Sequence, residues 1–190
     1  MIYATIQVDL DGVWTIYQHH QIEVAHASDP VFEQSIPRFL KLFQQMQIQS
    51  TFFTVGSDLE IPSNETWMNQ IVSAGHELAN HTYSHPLNFS RLSFIEKKNE
   101  IDQADRLIRR ITNEPVSGFR APSYAIDRDI LNILEQMNYC YDSSILPTYW
   151  SRMIRLIESG FSMQRSKQTA SYGKIQYGRA LLRSYHPILF

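Results

Sequence analysis

The amino-acid sequence predicts an α/β fold built on a parallel sheet, either open or closed into a barrel. Two observations carry this expectation. Short apolar segments rich in β-branched residues alternate with helical segments at least four times, and a polar cluster follows each of the strand candidates. In folds of this class the functional residues gather where strands end at their carboxyl termini. At roughly 150 residues per domain, the 190 residues are expected to form a single domain, 1–190.

The elements follow in order. Ile2 to Val8 is short, apolar and β-branched and runs into Asp9-Leu10-Asp11-Gly12, a strand ending in a polar turn. Residues 13–28 show no clear period and read as a loop. Asp29-Pro30 opens a helix whose apolar residues, from Val31 through Ile36, Phe39, Leu40 and Phe43 to Met46, recur three or four apart, with Pro37 imposing a later start or a kink. Gln49 to Gly56 is the second strand with its glycine stop, and Asn64 to Ala74 is a helix ended by Gly75. A short strand, His76 to Ala79, leads into Asn80-His81-Thr82-Tyr83-Ser84-His85-Pro86. Ser93 to Ile111 is a long amphipathic helix and Val116 to Phe119 a strand. Asp127 is placed to N-cap a helix reaching about Met137, and Tyr139-Cys140-Tyr141 leads into Asp142-Ser143-Ser144. Residues 162–179, rich in Ser, Gln and Gly, fit the alternation poorly.

Composition narrows the function. With 43% hydrophobic and 19% charged residues, the chain is expected to fold rather than stay disordered. Seventeen Lys and Arg against nineteen Asp and Glu give no basic excess, so neither nucleic acid nor an anionic membrane is expected as the main partner. A single cysteine, Cys140, excludes an internal disulfide framework. No stretch reaches the ~18 consecutive apolar residues of a membrane span, and the residues from Met1 to Asp9 lack a basic and then apolar export pattern. The expectation is a cytoplasmic protein with no membrane span.

Four polar groups lie at strand ends: Asp9 with Asp11, His81 with His85, Arg120, and Asp142. If the strands are parallel neighbours, these side chains converge. Histidines four apart share one face of a helical turn, with Cβ atoms about 6 Å apart, and a loop can bring them equally close. Two imidazoles and one carboxylate form the open Zn²⁺ site of hydrolytic enzymes, which leaves a coordination position for water. This donor set also admits Co²⁺, Fe²⁺ or Mn²⁺. Asp9 and Asp11, two apart on a strand, point the same way, so one can ligate while the other serves as general base. A guanidinium such as that of Arg120 beside a carboxylate base would orient it and lower its pKa. Taken singly, each of these groups has an ordinary structural reading, as an acidic turn, a surface histidine pair or an Asx turn.

Taken together, they follow a known order. Val8-Asp9-Leu10-Asp11-Gly12, His81-Thr82-Tyr83-Ser84-His85, Phe119-Arg120-Ala121-Pro122-Ser123-Tyr124 and Tyr141-Asp142-Ser143-Ser144 resemble, in sequence and spacing, the signature of the polysaccharide deacetylases (carbohydrate esterase family 4, chitooligosaccharide deacetylase-like) over about residues 2–145. Ser50 to Gly56 and Gly75 to Asn80 resemble the family's flanking stretches. The acidic pair is Asp-Leu-Asp rather than two adjacent aspartates, a variant that resembles the intracellular and allantoinase-like branches.

The resemblance implies a distorted (β/α) barrel of seven strands. It implies Asp9 as general base, Asp11, His81 and His85 as metal ligands, and Arg120 as the group orienting Asp9. The loop of Pro122, Ser123 and Tyr124 would meet substrate, with a backbone N–H after Pro122 helping to hold the oxyanion. Asp142 would order the site near a general acid, for which His186 is the late histidine. The stretch from Asp142 to His186 is shorter than the family's remaining strands occupy, so the barrel is expected to be incomplete towards its C-terminal end. Tyr149 and Trp150 would stack on a sugar ring or pack at the rim.

The implied function is metal-dependent hydrolysis of an N-acyl, typically acetyl, group on an amino-sugar carbohydrate, most simply with Zn²⁺. Two alternatives stand beside it. One is an allantoinase-like or deformylase-like hydrolase of another C–N bond in a small amide. The other is a shortened, catalytically silent module that keeps metal or glycan binding, as a homo-oligomer.

Overall fold

A computed structural model describes residues 5–19 and 29–145 of the chain. The described residues form two compact units. The first joins those up to His85 with Glu100–Val116, and the second joins Pro86–Asn99 with those from Ser117 onward.

In the first unit, β1 (Ile6–Leu10), β2 (Ser50–Thr54) and β3 (Glu77–Asn80) pair in parallel, β2 in the middle. Phe52 and Phe53 are both fully buried. Neighbours along a strand face opposite sides, so both faces of the sheet are covered here, and the adjacent Phe52 and Phe53 break a simple apolar-polar alternation. Phe43 and Phe52 pack with the buried His76 ring at centroid distances of 5.6 and 5.7 Å.

One segment departs from expectation. Val13–His19 is a helix, α1, where the sequence suggests loop. Its first turn is held by Asp29, whose Oδ2 accepts from the Val13 amide at 2.7 Å. Trp14 Nε1 also donates to Asp58 Oδ1 at 2.6 Å. Both partners are remote in sequence, so no local period announces them.

Val31–Ser35 forms a wide π-helical turn that runs into α2 (Ile36–Met46). Pro37 sits in the first turn of α2, where its missing N–H is tolerated, so the helix proper starts late. Next, α3 (Pro62–Ser73) ends before Gly75, whose φ of +82° suits a residue without a Cβ. A long helix, α4 (Phe94–Thr112), begins in the second unit and ends in the first, with Ile101, Ala104 and Ile108 on its buried stripe.

In the second unit, β4 (Gly118–Phe119) and β5 (Tyr141–Asp142) pair in parallel, with Phe119 opposite Asp142. Between them lies α5 (Arg128–Gln136), capped as expected by Asp127, whose Oδ1 accepts from the Ile130 amide at 3.0 Å. Ile130, Ile133 and Leu134 are buried, and Phe119 packs against Phe89 and Tyr139. Lys97, only 3% exposed, places its ammonium 2.6 Å from Asp127 and 3.3 Å from Asp129 at the start of α5.

The α/β class with parallel pairing matches the sequence reading. Five strands lie among the described residues, against the seven implied by the resemblance. His186, Tyr149, Trp150 and the 162–179 stretch lie outside the described residues.

Candidate metal centre

Strand register builds the site. Leu10 pairs with Thr54 and Thr54 with Asn80, so β1, β2 and β3 reach their carboxyl ends level with one another. Asp11 and His81 each stand one residue past that line. The Asp11 carboxylate meets both imidazoles, with Oδ1 lying 3.6 Å from His81 Nε2 and 3.7 Å from His85 Nε2. These separations are too long for hydrogen bonds. They match the spacing of donors around one tetrahedral ion, ~3.4 Å for bonds of about 2.1 Å. Asp11 Oδ1 is buried without a hydrogen-bond partner, an orphaned anionic acceptor facing two imidazole nitrogens. The three residues present one carboxylate oxygen and two ring nitrogens within a common small volume. A divalent cation fits this donor set and would satisfy the orphaned oxygen.

The His81–His85 segment is a loop rather than a helical turn, with Thr82 and His85 at positive φ. Its backbone is held from two sides. The Thr82 and Tyr83 carbonyls accept from the Gly56 and Ser57 amides at 2.9 and 2.8 Å, and His81 N continues the ladder to Thr54 O at 3.1 Å. On the other side Glu100, from α4, accepts from the Tyr83 and Ser84 amides. Glu100 escapes sequence reading because it looks like one more charge on the polar side of α4.

Burial lowers the pKa of His85, with His81 adding to the depression while the Asp11 and Asp9 carboxylates oppose it. A neutral imidazole is the form that ligates metal. The field of Asp9 thus reaches His85, and Asp9 itself is an exposed residue of β1, separated from Asp11 in sequence by the buried Leu10. Asp58, missed by the sequence reading, is 1% exposed, and burial pushes it up to about 7 despite the bond from Trp14.

The second unit gathers the remaining expected residues. Arg120 donates through Nε to Ser143 O at 3.1 Å and through Nη2 to Ser143 Oγ at 2.8 Å, and its guanidinium lies 5.7 Å from the centre of the Tyr124 ring. Ser144 Oγ donates to Asp142 Oδ1 at 2.5 Å and accepts from the Ala121 amide at 2.7 Å. Burial raises Asp142 to about 6, with the Ser144 bond and the Arg120 charge pulling the other way. Pro122 opens a single turn in which Ser123 and Tyr124 both hold positive φ. The Tyr124 amide is engaged by Ala121 O at 3.0 Å. Among the described residues no helix is long and apolar enough to cross a membrane.

The chain is similar to known proteins in sequence and in fold. The family model for polysaccharide deacetylases matches residues 20–141. A peptidoglycan deacetylase-like protein of Gibberella zeae is 29% identical over 83% of this chain and 47% of its own length. A peptidoglycan deacetylase of Helicobacter pylori is 31% identical over 60% of this chain and 38% of its own. The chain thus spans less than half the length of these relatives. In three dimensions it resembles a family 4 carbohydrate esterase from Streptomyces lividans, at 16% identity and a TM-score of 0.59 over 87% of this chain and 76% of that one. It also resembles a family 4 pseudoenzyme from Bacillus anthracis, at 24% identity and a TM-score of 0.55 over 71% and 40%. These structural likenesses show the fold. With the family model covering most of its length, the chain belongs to the polysaccharide deacetylase family.

Proposed function

We propose that the chain hydrolyses the N-acetyl amide of an amino sugar within a carbohydrate, using a divalent metal held by Asp11, His81 and His85. The observation that carries this reading is the convergence of those three donors at 3.6 and 3.7 Å around an orphaned carboxylate oxygen. Zn²⁺ suits an open site of two imidazoles and one carboxylate, and Co²⁺, Fe²⁺ and Mn²⁺ are compatible with the same donors. The names of the relatives, peptidoglycan deacetylases among them, support the substrate class.

When bound, the metal supplies a Lewis acid and lowers the pKa of a water. Asp9, on β1 two residues before Asp11, is the general base: it takes a proton from water as the oxygen attacks the acetyl carbonyl carbon. By the resemblance, Arg120 is the residue assigned to orient the base, and the Pro122–Tyr124 turn the one assigned, through a backbone N–H, to hold the substrate carbonyl. As the C–N bond breaks, the leaving amine must gain a proton, a role the resemblance assigns to His186, with Asp142 assigned to order the acid. The products are acetate and a free amino sugar.

The test is hydrolysis of N-acetylchitooligosaccharides and peptidoglycan fragments beside N-formyl and cyclic-amide substrates, with Zn²⁺ or Co²⁺ added back after chelation. Metal-dependent acetate release supports the proposal. Formate release or ring opening of a cyclic amide instead would assign the chain to another C–N hydrolysis. Stoichiometric metal with no turnover on any amide would leave a silent binding module.

A further inference from the structure

The loop that carries both imidazoles holds Thr82 and His85 at positive φ, and one side chain, Glu100, takes three of the bonds that anchor it. Glu100 Oε2 accepts from two successive amides, Tyr83 N at 3.0 Å and Ser84 N at 2.8 Å, while Oε1 accepts from Ser84 Oγ at 2.7 Å. Successive amides pointing the same way form a small concave anion site. An ionised carboxylate, which only accepts, suits three converging donors. The next residue of α4 adds a second hold. Asn80 Nδ2 donates to Ile101 O at 2.9 Å, while its Oδ1 accepts from the Thr82 amide at 2.8 Å. The opposite side of the loop is packed close: a Cβ on Gly56 would stand 3.1 Å from Tyr83 Cα and 3.0 Å from Ala104 Cα. The loop is therefore pinned between the end of β2 and α4, with Thr82 and His85 kept in left-handed conformations at φ 67° and 51°.

We infer that Glu100 is a positioning residue for the metal centre: by gathering the Tyr83 and Ser84 amides it fixes the loop conformation that turns His81 and His85 towards Asp11. The inference rests on the metal-site reading above. Glu100 is not a ligand and touches neither imidazole in this role. It acts through the backbone between them. Hydrogen-bond partners behind first-contact ligands typically set metal affinity by 10- to 100-fold.

The experiment is Co²⁺ titration of the full chain, followed by the visible d–d absorption of the bound ion, for wild type, Glu100→Ala, Glu100→Gln and His81→Ala. Glu100→Ala is expected to bind Co²⁺ about 10- to 100-fold more weakly, with a shifted band. Glu100→Gln is expected to recover the wild-type band and most of the affinity, because its amide oxygen still accepts from both backbone N–H groups and Ser84 Oγ can turn to accept from its NH₂. If Glu100→Ala fails to fold, Glu100→Asp, one methylene short of the loop, carries the same expectation. Co²⁺ binding lost in His81→Ala but unchanged in affinity and band in Glu100→Ala would overturn this inference alone. So would equal loss of thermal stability in Glu100→Ala and Glu100→Gln with the wild-type band in both. Wild-type protein that takes up no Co²⁺, or His81→Ala that binds as wild type does, would overturn the metal-site reading and this inference with it.

Discussion

Asp11 Oδ1 stands 3.6 Å from His81 Nε2, although the two residues come from the ends of strands separated by β2. The in-register parallel pairing of β1, β2 and β3 makes this meeting possible, since all three ladders run out at the same level. A one-residue slip in either ladder would turn a donor to the opposite face.

Removing a donor from that meeting point should remove the ion. His81→Ala, His85→Ala and Asp11→Asn are each expected to weaken Zn²⁺ binding by on the order of 100-fold or more, beyond the range seen for residues that only support ligands. Equilibrium dialysis with metal analysis after purification checks this. A variant that retains stoichiometric, tightly held zinc would exclude that residue as a ligand.

Asp9→Asn separates binding from chemistry. The amide cannot accept a proton from water, so turnover of an N-acetylated substrate should fall by roughly 10²- to 10⁴-fold. Metal content should stay at the wild-type level, because Asp9 is not among the three grouped donors. Parallel measurement of bound metal and acetate release decides it, and unchanged turnover would end the role of Asp9 as base.

A structural prediction concerns the second unit. The buried Lys97 ammonium bridges Asp127, the cap of α5, and Asp129 in its first turn. Lys97→Ala leaves two carboxylates together with an unfilled space and should destabilise the fold by about 1–3 kcal/mol. Lys97→Met restores the volume and should lose less. Urea unfolding of the two variants against wild type tests the order, and Ala equal to Met would assign the loss to charge alone.

Many of the elements and candidate residues are legible in sequence because their signals are local. Ser50 to Thr54 is a segment of Ser, Thr and Phe with a glycine stop close behind, His81 and Arg120 each directly follow a strand, and Asp142 ends one. What escapes has a remote cause. Helix α1 depends on Asp29, sixteen residues on, for its N-terminal bond, and Trp14 finds Asp58 forty-four residues away. Glu100 carries no mark separating it from Glu96 or Asp102 on the same helix. Its three bonds to the histidine loop exist only once α4 has packed.

Asp58 predicts a pH dependence with a definite sign. Desolvation raises its folded pKa to about 7, from an ordinary 3.8, with the Asp29 and Asp11 charges adding and the Trp14 and Gly12 bonds opposing. A carboxyl whose folded pKa lies above its unfolded value supports the fold fully below pH 4. That support is lost as pH rises towards 7, because the unfolded chain gives up the proton first. Asp142, raised to about 6, acts in the same direction over pH 4 to 6. Asp58→Asn keeps an oxygen for the Trp14 indole and cannot ionise. In chelator-treated protein it should therefore be more stable than wild type at pH 8, by on the order of 2–4 kcal/mol at most. At pH 4, where Asp58 is largely neutral in the folded chain, the two should converge. Urea unfolding across pH 4 to 8 measures the difference. Parallel curves for the two proteins would show that Asp58 ionises as freely in the fold as outside it, and that its buried Oδ2, which has no hydrogen-bond partner, is reached by solvent.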